Sequence, residues 1–116
     1  MEIVLSSIGD KGDINNERIG FKVLKDCELK YFLVYDTYLT SGGFANKSNN
    51  VFWFLPQEAK AGDKIVLYTK GGISSISKNN DGSTTYFFYW GLNTPIFKAE
   101  SDRVVLVSIK SWELLS

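Results

Sequence analysis

Residues 51–70 read VFWFLPQEAKAGDKIVLYTK, and residues 84–110 read TTYFFYWGLNTPIFKAESDRVVLVSIK. In both stretches the apolar residues come in short runs, broken by Pro, Gly, Asn, Asp and Lys. Runs of five to eight residues rich in Val, Ile, Phe, Tyr and Trp, bounded by turn formers, are the signature of strands. QEAKA at 57–61 is the only segment with helical appeal. Gly62 stops it after about one turn, far short of the roughly 12 residues an isolated helix needs.

Working outward from these stretches, seven strands are expected, at roughly 2–8, 17–24, 29–38, 51–55, 64–70, 84–90 and 103–110. The second alternates cleanly. Ile19, Phe21 and Val23 lie on one side, and Arg18, Gly20 and Lys22 on the other. A period of two marks a strand with one buried face. GDKGDINN (9–16), TSGGFANKSNN (40–50), PQEAKAGD (56–63) and GGISSISKNNDG (71–82) read as turns and loops. Asp63 after Gly62 is placed to cap a tight turn. Gly91 after Trp90 allows a bend with positive φ. Several short strands with polar turns point to an all-β sandwich or barrel occupying residues 1–116 as a single domain. The expected core is Ile19, Phe21, Val23, Phe54, Ile65, Leu67, Val105, Val107 and Ile109. Val66 and Tyr68 form an equally apolar alternate face.

Four segments resemble, in order, the lamin-tail domain, an immunoglobulin-like β-sandwich found at the end of nuclear lamins and in many bacterial proteins. FWFLP is similar to the family's aromatic strand ending in Pro. KAGDKIVLYTKGG is similar to its Gly-Asp/Glu turn, apolar strand and Thr-Gly end. FYWGLNTPIFKAESD resembles its Trp-Gly, apolar/Pro and acidic-turn segment, and RVVLVSI its last strand. Upstream, GDKGDINNERIGFKVL resembles the loop with Gly, Asp and Asn that leads to a Glu and the next strand. The chain departs from the family pattern at VLKDCELKYFLVYD, where a Leu-Ser-Gly-Trp piece is usual, and at KAESD. The resemblance implies an immunoglobulin-like sandwich of about seven strands. Some members of the family bind chromatin.

Composition removes many functions. The 116 residues include no histidine and one cysteine, Cys27. That leaves no Ser-His-Asp or Cys-His catalytic group and too few ligands for zinc or an iron–sulfur cluster. No metal and no cofactor is expected. Thirteen basic and 13 acidic residues balance to zero net charge, so neither nucleic acid nor a membrane is expected as a partner. No apolar run approaches the roughly 18 residues of a membrane span. The N-terminus MEIVLSSIGDKGD carries Glu2 where a secretory leader has Lys or Arg. The chain reads as cytoplasmic, or as secreted if a leader has been removed.

Cys27 sits in KDCEL between two acids, which raise a thiol pKa, so a structural role is expected. Asp10, Asp13, Asn15 and Glu17 make an oxygen-rich run, but their irregular spacing and Lys11 favour a solvated turn over a calcium loop. The remaining carboxylates fall mainly in turns, which leaves a small carboxylate-dependent hydrolase as a distant third reading.

The run TTYFFYW at 84–90 is the anomaly. Tyr86, Phe88 and Trp90 share one face, and Phe87 and Tyr89 share the other. Only one face of a sandwich strand is core. Either a long loop or the tail (Trp112, Leu114, Leu115) covers the second face, or that face is a contact surface. The strand also lacks the charges that guard an edge. Tyr68, Phe87 and Tyr89 are therefore the candidate binding residues, with no catalytic residue assigned. The leading expectation is a non-enzymatic protein-interaction or assembly module whose partner is another protein or a second copy. The alternative is a carbohydrate-binding module that uses the aromatics as a stacking platform.

Overall fold

The computed structural model describes residues 1–48 and 50–116. The chain runs β1 (Ile3–Gly9), β2 (Arg18–Val23), β3 (Cys27–Glu28), a 3-10 turn (Leu29–Tyr31), β4 (Phe32–Thr40), β5 (Gly43–Phe44), β6 (Val51–Trp53), β7 (Glu58–Ala59), β8 (Lys64–Tyr68), β9 (Ser75–Lys78), β10 (Thr84–Tyr89) and β11 (Asp102–Ser108). No helix among the described residues is long and apolar enough to cross a membrane.

Two sheets pack as a sandwich. The first has the order β1-β2-β8-β10-β9. Its pairings are antiparallel except β8 with β10, which run parallel. In the second, β11 pairs with one edge of β4, while β6 and β5 pair with successive parts of the other. A short β3–β7 ladder stands apart.

Alternation in β2 and β8 sends Ile19, Phe21, Val23, Ile65 and Leu67 inward, each at most 2% exposed. Phe32, Val34 and Phe54 meet them from the second sheet. Phe54 is the aromatic hub. Its ring lies edge-on to Phe21 at 5.5 Å, Phe52 at 5.2 Å and Phe88 at 5.3 Å between centroids. Edge-to-face pairs of this kind add about 0.5–1.5 kcal/mol beyond their buried area.

The seven expected strands are all present, with shifted ends, and Pro56 and Pro95 lie outside them. Four short strands join them. β9 falls inside 71–82, read above as loop. All four of its residues are exposed, so its order comes from the backbone bonds to β10, which leave no burial pattern in sequence. QEAKA does not form a helical turn. Glu58 and Ala59 instead bridge to Glu28 and Cys27.

The last strand turns the opposite way from the expectation. Val104 and Leu106 pack against the core. Val105 and Val107, expected to be buried, are half-exposed on the outer face, and Ile109 is half-exposed beyond the strand end. The register decides it: Leu106 lies opposite the buried Val34, and Val105 and Val107 lie opposite Tyr35 and Leu33. Leu106→Ala should therefore destabilise the fold by about 2–3 kcal/mol and Val107→Ala by about 1 kcal/mol. Urea unfolding in dilute solution measures both, and the reverse ranking would restore the expected face.

Candidate functional site

The outer face of the first sheet is built from alternating residues of β2, β8 and β10. Pleating that buries Tyr86 and Phe88 turns Phe87 and Tyr89 outward, where both are half-buried. The parallel register sets Phe87 beside Val66 and Tyr89 beside Tyr68. The three candidate residues thus meet on one surface. Tyr68 and Tyr89 stack with centroids 5.3 Å apart and planes 10° from parallel. Lys70 Nζ lies 5.3 Å from the Tyr68 ring centroid, a cation–π distance. Gly72 crosses against Tyr89, and a Cβ there would strike the ring. The ring faces are taken up by each other, Lys70 and Gly72. Both tyrosines are thus partly covered by the 70–72 segment. The tail goes elsewhere: Trp112 packs on Trp53 and Tyr31. β10 is paired on both sides, so its lack of charge reflects an interior position and not an unguarded edge.

Cations surround the aromatic row. Arg18 is opposite Tyr68, and Lys22 is directly opposite Lys64 in the β2–β8 register. Directly opposed like charges destabilise a sheet. Among the described residues, only Arg18 of this group has a carboxylate within ion-pair distance, Asp10 at 2.6 Å. Sequence reading missed this basic border because its members are spread over 50 positions and only the strand register assembles them.

Glu17 is the largest departure at residue level. Expected in a solvated turn, it is fully buried. Its carboxylate accepts bonds from the amides of Gly12 (2.8 Å), Ile96 (2.7 Å) and Phe97 (3.2 Å) and from the Thr69 hydroxyl (2.6 Å). It binds the 10–16 loop, the end of β8 and the segment that leads to β11. Asp13 stays exposed and bonds Asn15 and Asn16. Among the described residues no three His, Cys, Asp or Glu side chains converge to hold a metal.

Asp63 closes the turn foreseen after Gly62, whose φ is +93°. Burial alone would raise its carboxyl. The amides of Lys60 and Thr84 and the Tyr86 hydroxyl outweigh that and hold it below the ordinary value of 3.8. Burial and the Asp63 bond together push Tyr86 up to about 12, so its hydroxyl stays a donor. A depressed carboxyl contributes stability above its unfolded value and loses it as pH falls through the lower folded value. Asp63→Asn should thus be less stable than wild type at neutral pH, with the gap closing below pH 3.8. Melting temperatures across an acid series test this.

Cys27 is half-buried beside Glu2, Asp26 and Glu28 in a shallow cleft. Burial, then these acids, push its thiol up to about 11. It is protonated at neutral pH and a poor nucleophile. Comparison of the chain with protein-family models, curated proteins and solved structures finds no match.

Proposed function

We propose that this chain is a non-enzymatic protein-interaction module whose outer face on the first sheet takes an acidic protein segment. One observation carries the reading: the row Tyr68, Phe87 and Tyr89 is bordered by Arg18, Lys22, Lys64 and Lys70, with Lys22 and Lys64 directly opposed. A partner carboxylate between the two lysines relieves their repulsion, and the aromatic row supplies apolar contact area. The covered tyrosine ring faces favour this reading over a sugar-stacking platform, which needs ring faces open to solvent. The two-sheet arrangement and the four segments that resemble the family are consistent with a lamin-tail-like, immunoglobulin-like version of the sandwich.

The test is a titration of isotope-labelled protein, read by amide NMR shifts. The probes, added separately, are an acidic peptide containing one Trp, a soluble cello-oligosaccharide and a single-stranded DNA oligonucleotide. The acidic peptide should shift amides around Lys22, Lys64, Tyr68 and Phe87, and K22E/K64E should abolish the effect without unfolding the chain. Shifts produced there only by the sugar or only by DNA would replace this reading with one of those ligands.

A further inference from the structure

The five strands of the first sheet carry charge of one sign. None of the 13 acidic residues lies within β1, β2, β8, β9 or β10. Their outward positions hold three cations, Arg18, Lys22 and Lys64. Arg18 is committed to Asp10. Lys22 and Lys64 are exposed, and neither has a carboxylate within ion-pair distance among the described residues. Asp81 feels the Lys64 charge, but its Oδ1 accepts bonds from the amide and hydroxyl of Ser83. Gly20 adjoins the lysine pair, two residues before Lys22 and opposite Ser7. With no side chain there, the bulge of β1 brings two hydroxyls over the gap. Ser7 Oγ lies 2.6 Å, and Ser6 Oγ 3.2 Å, from where a Cβ of residue 20 would stand. Both serines are exposed, and neither hydroxyl bonds another described residue.

We propose that the anion received here is a phosphate monoester, carried as phosphoserine or phosphothreonine on an extended segment of the partner and seated beside Gly20 between Lys22 and Lys64. This rests on the acidic-segment reading above and narrows it. Charge selects the ligand. A carboxylate brings one negative charge to two lysines. A phosphate monoester brings about −1.5 to −2 at neutral pH, with three acceptor oxygens. Directly opposed residues have Cβ atoms about 4.5–5.5 Å apart, so two ammonium groups on flexible four-carbon stems close on one anion. The serine hydroxyls offer further donors at the same place. Spacing supplies the rest. Val66 and Phe87 form the next cross-strand row, two residues on from Lys64, about 6.6 Å along the strands. In an extended partner the second residue after the phosphate faces the same way, so an apolar side chain there meets Val66 and Phe87.

The test uses three acidic peptides, identical except for a central Ser, Glu or phosphoserine, each with a Trp two positions later. Binding is read by fluorescence anisotropy. At about pH 7.2 the phosphopeptide should bind about tenfold more tightly than the Glu peptide. At about pH 5.2 the advantage should shrink to about twofold, because the second phosphate ionisation lies near pH 6. The chain has no histidine, so no side chain of ordinary pKa titrates with it. K64Q should cost the phosphopeptide about tenfold and the Glu peptide about threefold. S7A, which removes a hydroxyl and no charge, should weaken the phosphopeptide alone. The pH series needs no variant and decides the matter if a substitution disturbs the fold. Equal binding of the Glu and phosphoserine peptides overturns the proposal and leaves the acidic-segment reading standing. Failure of all three peptides removes both. Displacement by inorganic phosphate at the phosphopeptide's own half-saturating concentration would assign the site to free phosphate and also overturn the proposal.

Discussion

Glu17→Ala is expected to remove about 4 kcal/mol or more of stability, which is most of what a domain of this size holds. The substitution leaves the amides of Gly12, Ile96 and Phe97 and the Thr69 hydroxyl without their acceptor. Each buried polar group left unpaired costs about 1–3 kcal/mol. Glu17→Gln keeps one acceptor oxygen but turns an NH2 toward donors, so it should recover only part of the loss. Guanidinium unfolding ranks the three proteins. A loss under about 1 kcal/mol in the Ala variant would mean that water replaces the carboxylate and that Glu17 is not the tie between these segments.

Phe54→Ala comes next, at about 3–5 kcal/mol. Phe54 is 2% exposed and its ring touches Phe21, Phe52 and Phe88. Truncation therefore opens a cavity between the sheets and removes three edge-to-face contacts at once. Phe54→Leu, which refills part of the volume, should cost less than half as much. Equilibrium unfolding monitored by near-UV dichroism checks both variants, because Trp90 packs beside the Phe52 ring and reports the loosening directly.

The contrast between these residues shows what the amino-acid pattern could reveal. β2 was legible because Ile19, Phe21 and Val23 alternate with Arg18, Gly20 and Lys22. Phe54 was expected in the core from the period-two pattern of the strands, and it is 2% exposed while its neighbours Trp53 and Leu55 face out. The turn at Gly62–Asp63 was legible from local chemistry alone. β11 was not, since VVLV is apolar on both sides, and parity there depends on which face of β4 it meets. Of the candidate site, the outward placement of Phe87 and Tyr89 followed from counting aromatics against one core face. The lysine border did not, because Lys22 and Lys64 become neighbours only through strand register. Glu17 was the least legible. A carboxylate in a loop of Asp and Asn belongs in water on local grounds, and the amides that bury it arrive from 79 and 80 positions away.

The parallel pairing of β8 with β10 bears on the order in which the chain assembles. β9 and β10 are joined by a five-residue turn, in which Asn79 and Ser83 bond each other and Asp81 bonds Ser83. Such a hairpin closes in about 1–10 μs without help from the rest of the chain. Pairing β8 with β10 must close the 15-residue connection 69–83, a longer loop than the hairpin's, so the hairpin is expected to form first. The late step is thus the docking of a finished hairpin. Until then the backbone edge of β8 that later pairs with β10 stands open to strands from other nascent chains. An unpaired edge of this kind is a general hazard for misassembly, and docking of the hairpin removes it.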